Sequence, residues 1–396
     1  MKKLINKAFS LSKNPDFAVV ICFTAAIVFF VWRASFGFGL DDESWYMTMT
    51  HRMMMGDSLL TDEWNVAQLF SFLLYVPFKI YMAIAGTTDG IVLFYRYLFI
   101  LLQGSAATLI YIRLRRYGFV AILAGLVLFF NIPMTIMAPS YYAMGIAFVM
   151  MSGLLLATVQ PFKKITFFFA GMLFACAVLC NPVLVLVYLI YSFCMILREK
   201  TKNRQRALLE FTEFSFSFKA WMWLTFGVAS VAALFLIFIF SKTSLKEILE
   251  NLPMIFQDPD YRLLSNTSGK QNVFTFKETL LAIIKINPYI FGIFILLFAA
   301  VQFDKNKEKR RHLYLAAGAA AFCAYVLYIV LTTDFPRYGY TMLPLAMFGF
   351  LCYILMENRN NQMKSLFVFL WISSVLYFFC LDITSDVGYW TACLAL

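Results

Sequence analysis

Apolar runs of about 20 residues recur along almost the whole chain, and this recurrence limits the fold more than any other feature. A run of that length crosses the hydrocarbon core of a bilayer as an α-helix. A bilayer core offers the backbone no hydrogen bonds, so only helices and closed barrels cross it. The runs lack the residue-by-residue alternation that is typical of barrel strands. The sequence therefore predicts an all-α fold, a polytopic bundle of transmembrane helices.

The composition supports a single membrane-embedded body. Charged residues make up 14% of the chain, whereas soluble domains contain about a quarter. No Pro/Gly-rich linker separates the apolar runs, so we predict one integral membrane domain over residues 1–396. The formal net charge of +11 does not indicate a nucleic-acid partner, because Lys and Arg accumulate in the cytoplasmic loops of membrane proteins. Membrane lipid is the expected surrounding partner.

The apolar runs predict about 11 membrane spans. Their approximate bounds are residues 17–35, 90–112, 118–136, 141–158, 165–181, 182–197, 219–240, 288–303, 313–333, 339–356 and 365–381. With the N-terminus inside, every strongly basic loop falls on the cytoplasmic side, as the positive-inside rule requires. The C-terminus is then predicted to lie outside.

Two long segments remain on the predicted outer side, residues 36–89 and 241–287. The second half of the first segment, residues 66–86, is apolar but interrupted by polar residues and by Pro77. This pattern predicts an amphipathic helix in the membrane interface, or two short helices that meet near Pro77. A full span here would move the following basic loops to the other side, which argues against it.

Three consecutive acids, Asp41, Asp42 and Glu43, directly follow the first apolar run. Helix capping is the ordinary alternative, since Asp accepts hydrogen bonds from the amides of a first helical turn. Capping explains one acid, whereas adjacent like charges beside an apolar interface repel each other and resist desolvation. All three are therefore candidate catalytic residues. Asp62 and Glu63 precede the interfacial helix, and they either cap it or bind substrate.

An acidic pair just after the first transmembrane helix, followed by an outer loop with interfacial helices, resembles the GT-C type of membrane glycosyltransferase. The resemblance implies transfer of a sugar from a polyprenyl-phosphate or polyprenyl-diphosphate carrier. It also implies that the catalytic acid lies at Asp41 or Asp42. The similarity covers most of the chain in topology but few residues in motif.

A second motif narrows the resemblance. The segment TTDFPRYGYTMLPLA, which begins at residue 332, is similar to the Arg-Tyr…Pro stretch that opens a late helix in the protein-mannosyltransferase-like branch. Arg337, Tyr338 and Pro344 carry this similarity. The resemblance therefore points to Arg337 and Tyr338 as substrate-binding residues.

The chemistry of such a transfer requires two kinds of group. A carboxylate takes the proton of the acceptor hydroxyl as that hydroxyl attacks the anomeric carbon. A cation stabilises the phosphate that leaves. Arg337 is the best candidate for the cation, because it begins a helix on the same predicted side and its planar guanidinium suits phosphate. An interfacial Arg, or a partner of Asp334, is the alternative.

Three further cations are substrate-binding candidates, of which Arg262 and Lys270 are the weaker ones. Arg96 lies inside the span predicted over 90–112, where an Arg usually faces a partner or a cavity. Arg96 either forms a structural ion pair with an acid of the first loop or contacts the phosphate. Arg262 and Lys270 lie in the second outer loop, where a solvated charge is the ordinary interpretation. The oxygens of the acids at 41–43 also suit Mg²⁺ or Mn²⁺, so a metal cofactor stays open.

Two other classes of protein are the alternatives. A transporter or flippase of lipid-linked saccharide needs polar or broken helices near the midplane, often in repeated halves, and the sequence has few such features. A polymerase or ligase of cell-surface polysaccharide would use the same carrier, with Arg262 and Lys270 as its main residues. We expect a multi-pass protein of a bacterial plasma membrane whose active face lies outside. An endoplasmic-reticulum membrane, with the same loops facing the lumen, is the alternative. The sequence indicates neither the sugar, nor the acceptor, nor the oligomeric state.

Overall fold

The computed structural model describes residues 15–37, 40–63, 65, 67–132, 136–158, 163–200, 218–255, 288–332, 342–355 and 361–384. These residues form helices and connecting turns, with no strand among them, which confirms the predicted all-α fold. The α-helices of this part of the chain are α1 (Pro15–Ala34), α2 (Leu40–Met55), α3 (Ser71–Ala85), α4 (Ile91–Leu114), α5 (Phe119–Phe129), α6 (Tyr141–Thr158), α7 (Lys164–Cys180), α8 (Val185–Lys200), α9 (Phe218–Phe240), α10 (Leu245–Ile255), α11 (Pro288–Phe303), α12 (Arg311–Thr332), α13 (Met342–Ile354) and α14 (Asn361–Thr384).

Several of these helices have the length and composition of membrane spans. Within the described ranges, five helical segments are long and apolar enough to cross a bilayer: Pro15–Ala34, Gln68–Ala85, Ile91–Tyr117, Phe218–Phe240 and Arg311–Leu331. Other apolar helices are shorter, at 10–17 residues. The architecture is thus compatible with a helical membrane bundle. The number of spans and their orientation stay predictions.

The second half of the predicted first outer segment forms one helix and not two. A 3-10 turn at Gln68–Phe70 leads into α3, which continues through Pro77. The helix ends at Gly86, whose left-handed backbone (φ 69°) lets its amide donate to the carbonyl of Met82 at 2.9 Å. Together the turn and α3 reach the length of a membrane span, whereas the sequence placed them in the interface.

Helix α10 begins with a reciprocal cap that the sequence analysis did not predict. The Glu247 carboxylate accepts from the Ser244 amide at 2.8 Å, and the Ser244 hydroxyl accepts from the Glu247 amide at 3.2 Å. This arrangement is a capping box. The hydrogen bond from the Ser244 amide, with those from the hydroxyls of Thr243 and Ser244, lowers the pKa of Glu247.

The chain divides into two compact units. The first contains Met1–Pro182 and Phe216–Phe256, and the second contains Val183–Ser215 and Gln257–Leu396. The predicted single domain over residues 1–396 stays a prediction. In the second unit, Phe294, Tyr325 and Leu351 are buried where α11, α12 and α13 pack together.

Two apolar clusters of the first unit position the helices of the candidate site. Phe30, Phe99 and Phe129 are fully buried where α1, α4 and α5 meet. Tyr46 and Phe78 belong to a second cluster, in which α2 and α3 pack on the N-terminal half of α4. Helix α4 therefore contacts both α1 and α2, and it brings the end of the first helix next to the start of the second.

Helices α7 and α9 cross at two glycines, which allow their backbones to meet. A methyl group added at Gly171 would overlap the carbonyl oxygen of Leu224, and one added at Gly227 would overlap that of Phe168. Because the obstructing atoms belong to the backbone, no side-chain rotation relieves the overlap. Small residues permit this kind of close helix contact in membrane proteins.

Gly171→Ala should therefore separate α7 from α9 and lower the free energy of unfolding by about 1–3 kcal/mol, the usual cost of overpacking. Thermal unfolding in detergent or nanodiscs measures this change. Gly292→Ala in α11 is a matched control, because no atom lies within 4 Å of the added methyl group. The control should unfold at the wild-type temperature or slightly above it, since Ala favours a helix over Gly. Equal effects of the two substitutions would contradict the close crossing.

Candidate functional site

A buried ion pair joins the start of α2 to α4. Arg96 Nε lies 2.7 Å from Glu43 Oε1, and Arg96 Nη2 lies 2.9 Å from Glu43 Oε2. Glu43 is fully buried and Arg96 is 6% exposed. Both carboxylate oxygens are thus occupied by one planar guanidinium, the bidentate geometry that Arg forms best.

The remaining donors of Arg96 bind the backbone at the end of α1. Its Nη1 donates to the carbonyl of Ala34 at 2.6 Å, and its Nη2 donates to the carbonyl of Gly37 at 2.7 Å. The last carbonyls of a helix have no partner within the helix, so Arg96 satisfies groups that would otherwise need water. One side chain of α4 therefore holds the end of α1 and the start of α2 together.

Asp42 directly precedes Glu43 at the start of α2, and it is exposed. Burial raises the pKa of the Tyr46 hydroxyl, one turn further along α2, well above its ordinary value. The nearby Tyr142 and Asp42 act in the same direction, and a hydrogen bond with Ser140 acts against them. Asp42 is therefore close enough to the buried Tyr46 to act on it electrostatically. The side chain of Asp41 lies outside the described residues.

An aromatic cluster lies beside Asp42 on α2. The Trp45 ring centroid is 5.8 Å from that of Phe70 and 6.4 Å from that of Tyr141. Tyr46 packs edge-on against Phe70, with the centroids 5.5 Å apart. These contacts join α2 to α6 and to the turn before α3, and they fix the face of α2 that carries Tyr46.

A second charged group lies at the other end of α2, around Arg52. Arg52 Nε is 2.7 Å from Asp57 Oδ2, and Arg52 Nη1 is 2.7 Å from Glu63 Oε2. Its Nη2 donates to the carbonyl of Asp62 at 3.0 Å. The Asp62 carboxylate accepts from the Ser58 amide at 2.7 Å. Asp62 and Glu63 therefore both take part in the internal bonding of this loop.

Lys242, which lies just beyond α9, binds the end of α2 and the loop that follows it. Its Nζ donates to the carbonyls of Met53 at 2.6 Å and Asp57 at 3.0 Å. Burial lowers the pKa of Lys242, and the charges of Asp57 and Asp62 act in the opposite direction. A cation at the C-terminal end of a helix is stabilised by the helix dipole. Neither set of contacts was predicted from the sequence. The partners of Lys242 lie 189 and 185 positions away in the chain, and the basic character of Arg52 does not show which of the nearby acids it binds.

The structure brings the predicted site residues together only in part. Glu43 and Arg96 are in contact, and Asp42 is adjacent to Glu43. Asp62 and Glu63 belong to the separate network around Arg52. The remaining predicted substrate-binding residues lie outside the described residues: Arg262, Lys270, Arg337 and Tyr338.

The described side chains do not form a metal site. Among them, no group of three or more His, Cys, Asp or Glu residues converges. Glu43 is one of the predicted ligands for Mg²⁺ or Mn²⁺, and Arg96 occupies both of its carboxylate oxygens.

Comparisons with protein-family models, curated proteins and solved structures gave no match for this chain. The functional proposal therefore rests on the residues of this chain and on their geometry.

Proposed function

We propose that this protein is a membrane glycosyltransferase that moves a sugar from a polyprenyl-phosphate carrier to an acceptor on the outer face of a bacterial plasma membrane. The observation that carries the proposal is an exposed carboxylate, Asp42, held at the end of the first apolar helix by the buried Glu43–Arg96 pair. A carrier lipid keeps its phosphate at headgroup depth, and the end of a membrane span lies at that depth.

The proposed reaction is a displacement at the anomeric carbon of the sugar. The acceptor hydroxyl attacks this carbon, and its proton passes to the Asp42 carboxylate, with Asp41 as the alternative base. The bond between the anomeric carbon and the phosphate oxygen breaks, and polyprenyl phosphate leaves with the electron pair. In this scheme Glu43 and Arg96 are positioning residues, because their charged groups bind each other and the backbone.

The phosphate is assigned to residues that the sequence motif suggested. Arg337 would bind the leaving phosphate through two parallel hydrogen bonds, and Tyr338 lies beside it in the chain. Arg262 and Lys270 are further candidates for this role. The network around Arg52 would shape the loop that the acceptor meets, with Asp62 and Glu63 as parts of that loop.

Binding of the carrier tests the proposal first. Purified protein in nanodiscs is heated with and without polyprenyl phosphate. A ligand that binds only the folded protein stabilises it by about 2.7 kcal/mol at a concentration 100 times its Kd, so the melting temperature should rise. Arg337→Ala should abolish this rise. Arg115→Ala, a matched control on the predicted cytoplasmic side, should preserve it.

Two results would overturn the proposal. If no polyprenyl phosphate raises the melting temperature of the wild type, the protein does not bind the proposed carrier. If the lipid-linked sugar is bound and appears on the other side of the membrane with no new glycosidic bond, the protein is a transporter. Formation of a glycosylated acceptor, detected by mass spectrometry, is the supporting result.

A further inference from the structure

Helix α10 carries an uncovered apolar stripe. Leu245, Leu249 and Leu252 are 57%, 59% and 38% exposed, whereas leucines in a soluble helix of this size usually face a core. Their spacing of four and three residues places them on one side of the helix. The stripe is therefore a continuous surface and not a scatter of single exposed residues.

The other sides of α10 face two different surroundings. Ile248 packs against a buried cluster of Met53, Leu59 and Ile239. Lys246 and Glu250 are exposed on a further side, with Lys246 Nζ 3.8 Å from Glu250 Oε1. The helix thus presents one side to the protein, one apolar side and one charged side. Such a division is typical of a helix that lies at a boundary between lipid and water.

The place of α10 in the chain indicates which surface covers the leucines. It begins five residues after Phe240, the last residue of the 23-residue apolar helix α9. The amide of Ser241 still bonds to Ile237 at 3.0 Å, and that of Thr243 bonds to Ile239 at 3.0 Å. The turn is tight, so α10 starts at the depth at which α9 ends. If α9 crosses a bilayer, this depth is the headgroup region.

We propose that α10 is an interfacial helix that lies along the lipid headgroups, with its three leucines in the boundary of the acyl chains. Lys246, Glu247 and Glu250 together carry one net negative charge, so apolar burial and not attraction to anionic lipid holds the helix there. Zwitterionic lipid is a sufficient partner. Through Ile248, α10 also ties the end of α2 and the following loop to the membrane surface. The proposal does not depend on the glycosyltransferase reaction.

Depth-dependent fluorescence quenching tests this proposal. The fluorescent amino acid acridonylalanine is introduced by stop-codon suppression in place of Leu249 or, as a matched control, in place of Glu250. Each protein is reconstituted into phosphatidylcholine that is brominated either near the headgroup or near the chain end. Quenching at 249 by the shallow bromines should be at least about two-fold greater than at 250, because the apolar face of an interfacial helix penetrates about 5–10 Å. High salt should not change the ratio.

Three results would overturn the proposal. Equal weak quenching at both positions would show that water or another protein surface covers the leucines. Stronger quenching at 249 by the deep bromines would make α10 part of a membrane span. A ratio that falls in high salt would show attachment by charge. A second matched pair, Leu245 and Lys246, repeats the comparison if either of the first labelled proteins fails to fold.

Discussion

Asp42→Asn is expected to lower the rate of sugar transfer by about 10²–10⁴-fold, the usual contribution of a general base. Asn has nearly the shape of Asp but cannot accept the proton of the acceptor hydroxyl. Because Asp42 is exposed, and Glu43 rather than Asp42 forms the buried pair with Arg96, the variant should fold and bind the carrier as the wild type does. The rate is measured by mass spectrometry of the glycosylated acceptor in single turnovers.

Two companion variants sharpen this test. Asp89→Asn makes the same chemical change at another exposed acid of the predicted first outer loop and should leave the rate unchanged. Asp41→Asn is measured in parallel, because the acid whose loss removes the rate is the base. Wild-type rates in both Asp41→Asn and Asp42→Asn would remove the acidic cluster from the reaction.

Arg96→Gln is expected to lower the free energy of unfolding by about 3–5 kcal/mol, the cost of leaving one charge of a buried pair without its partner. Glu43 would keep a buried carboxylate, and the carbonyls of Ala34 and Gly37 would lose their donors. The change should appear in thermal and denaturant unfolding. Activity should fall as well, because the start of α2 would no longer be fixed.

Two controls separate this effect from a general response to losing an Arg. Arg115→Gln removes an exposed pair with Asp16, and exposed pairs contribute little to stability. The double variant Glu43→Gln, Arg96→Gln should be more stable than Arg96→Gln alone, since no uncompensated charge remains. An Arg96→Gln protein that melts with the wild type would show that the buried pair is absent in the membrane.

Long apolar helices were predictable from the sequence, and short helices with polar residues were not. The apolar helices predicted over 141–158 and 219–240 coincide with α6 and α9 to within one residue at each end, because an unbroken apolar run leaves few alternatives. Helix α5 ends at Phe129, before the predicted residue 136, since Pro133 disfavours helix in the residue before it. Helix α2 was missed, because its acids and threonines give it low hydropathy and tertiary contacts stabilise it.

The position of the candidate site in the chain was predictable from the sequence, whereas the contacts between its residues were not. The three acids that follow the first apolar run are evident in the sequence. An ion pair with an acid of the first loop was one of the two interpretations of Arg96. That its partner is Glu43, 53 residues away, follows only from the packing of α2 on α4. The network of Arg52 and Lys242 had no sequence signal, because backbone carbonyls form much of it.

The contact between Lys242 and the end of α2 has a consequence for the order in which the protein is made. The Met53 carbonyl receives its hydrogen bond from a residue 189 positions later in the chain. At a synthesis rate of about 5–20 residues per second, this partner emerges roughly 10–40 s after Met53. During that interval the ribosome synthesises α3 to α9. The loop after α2 therefore closes late in translation, and a nascent chain halted before residue 242 should expose that loop to protease.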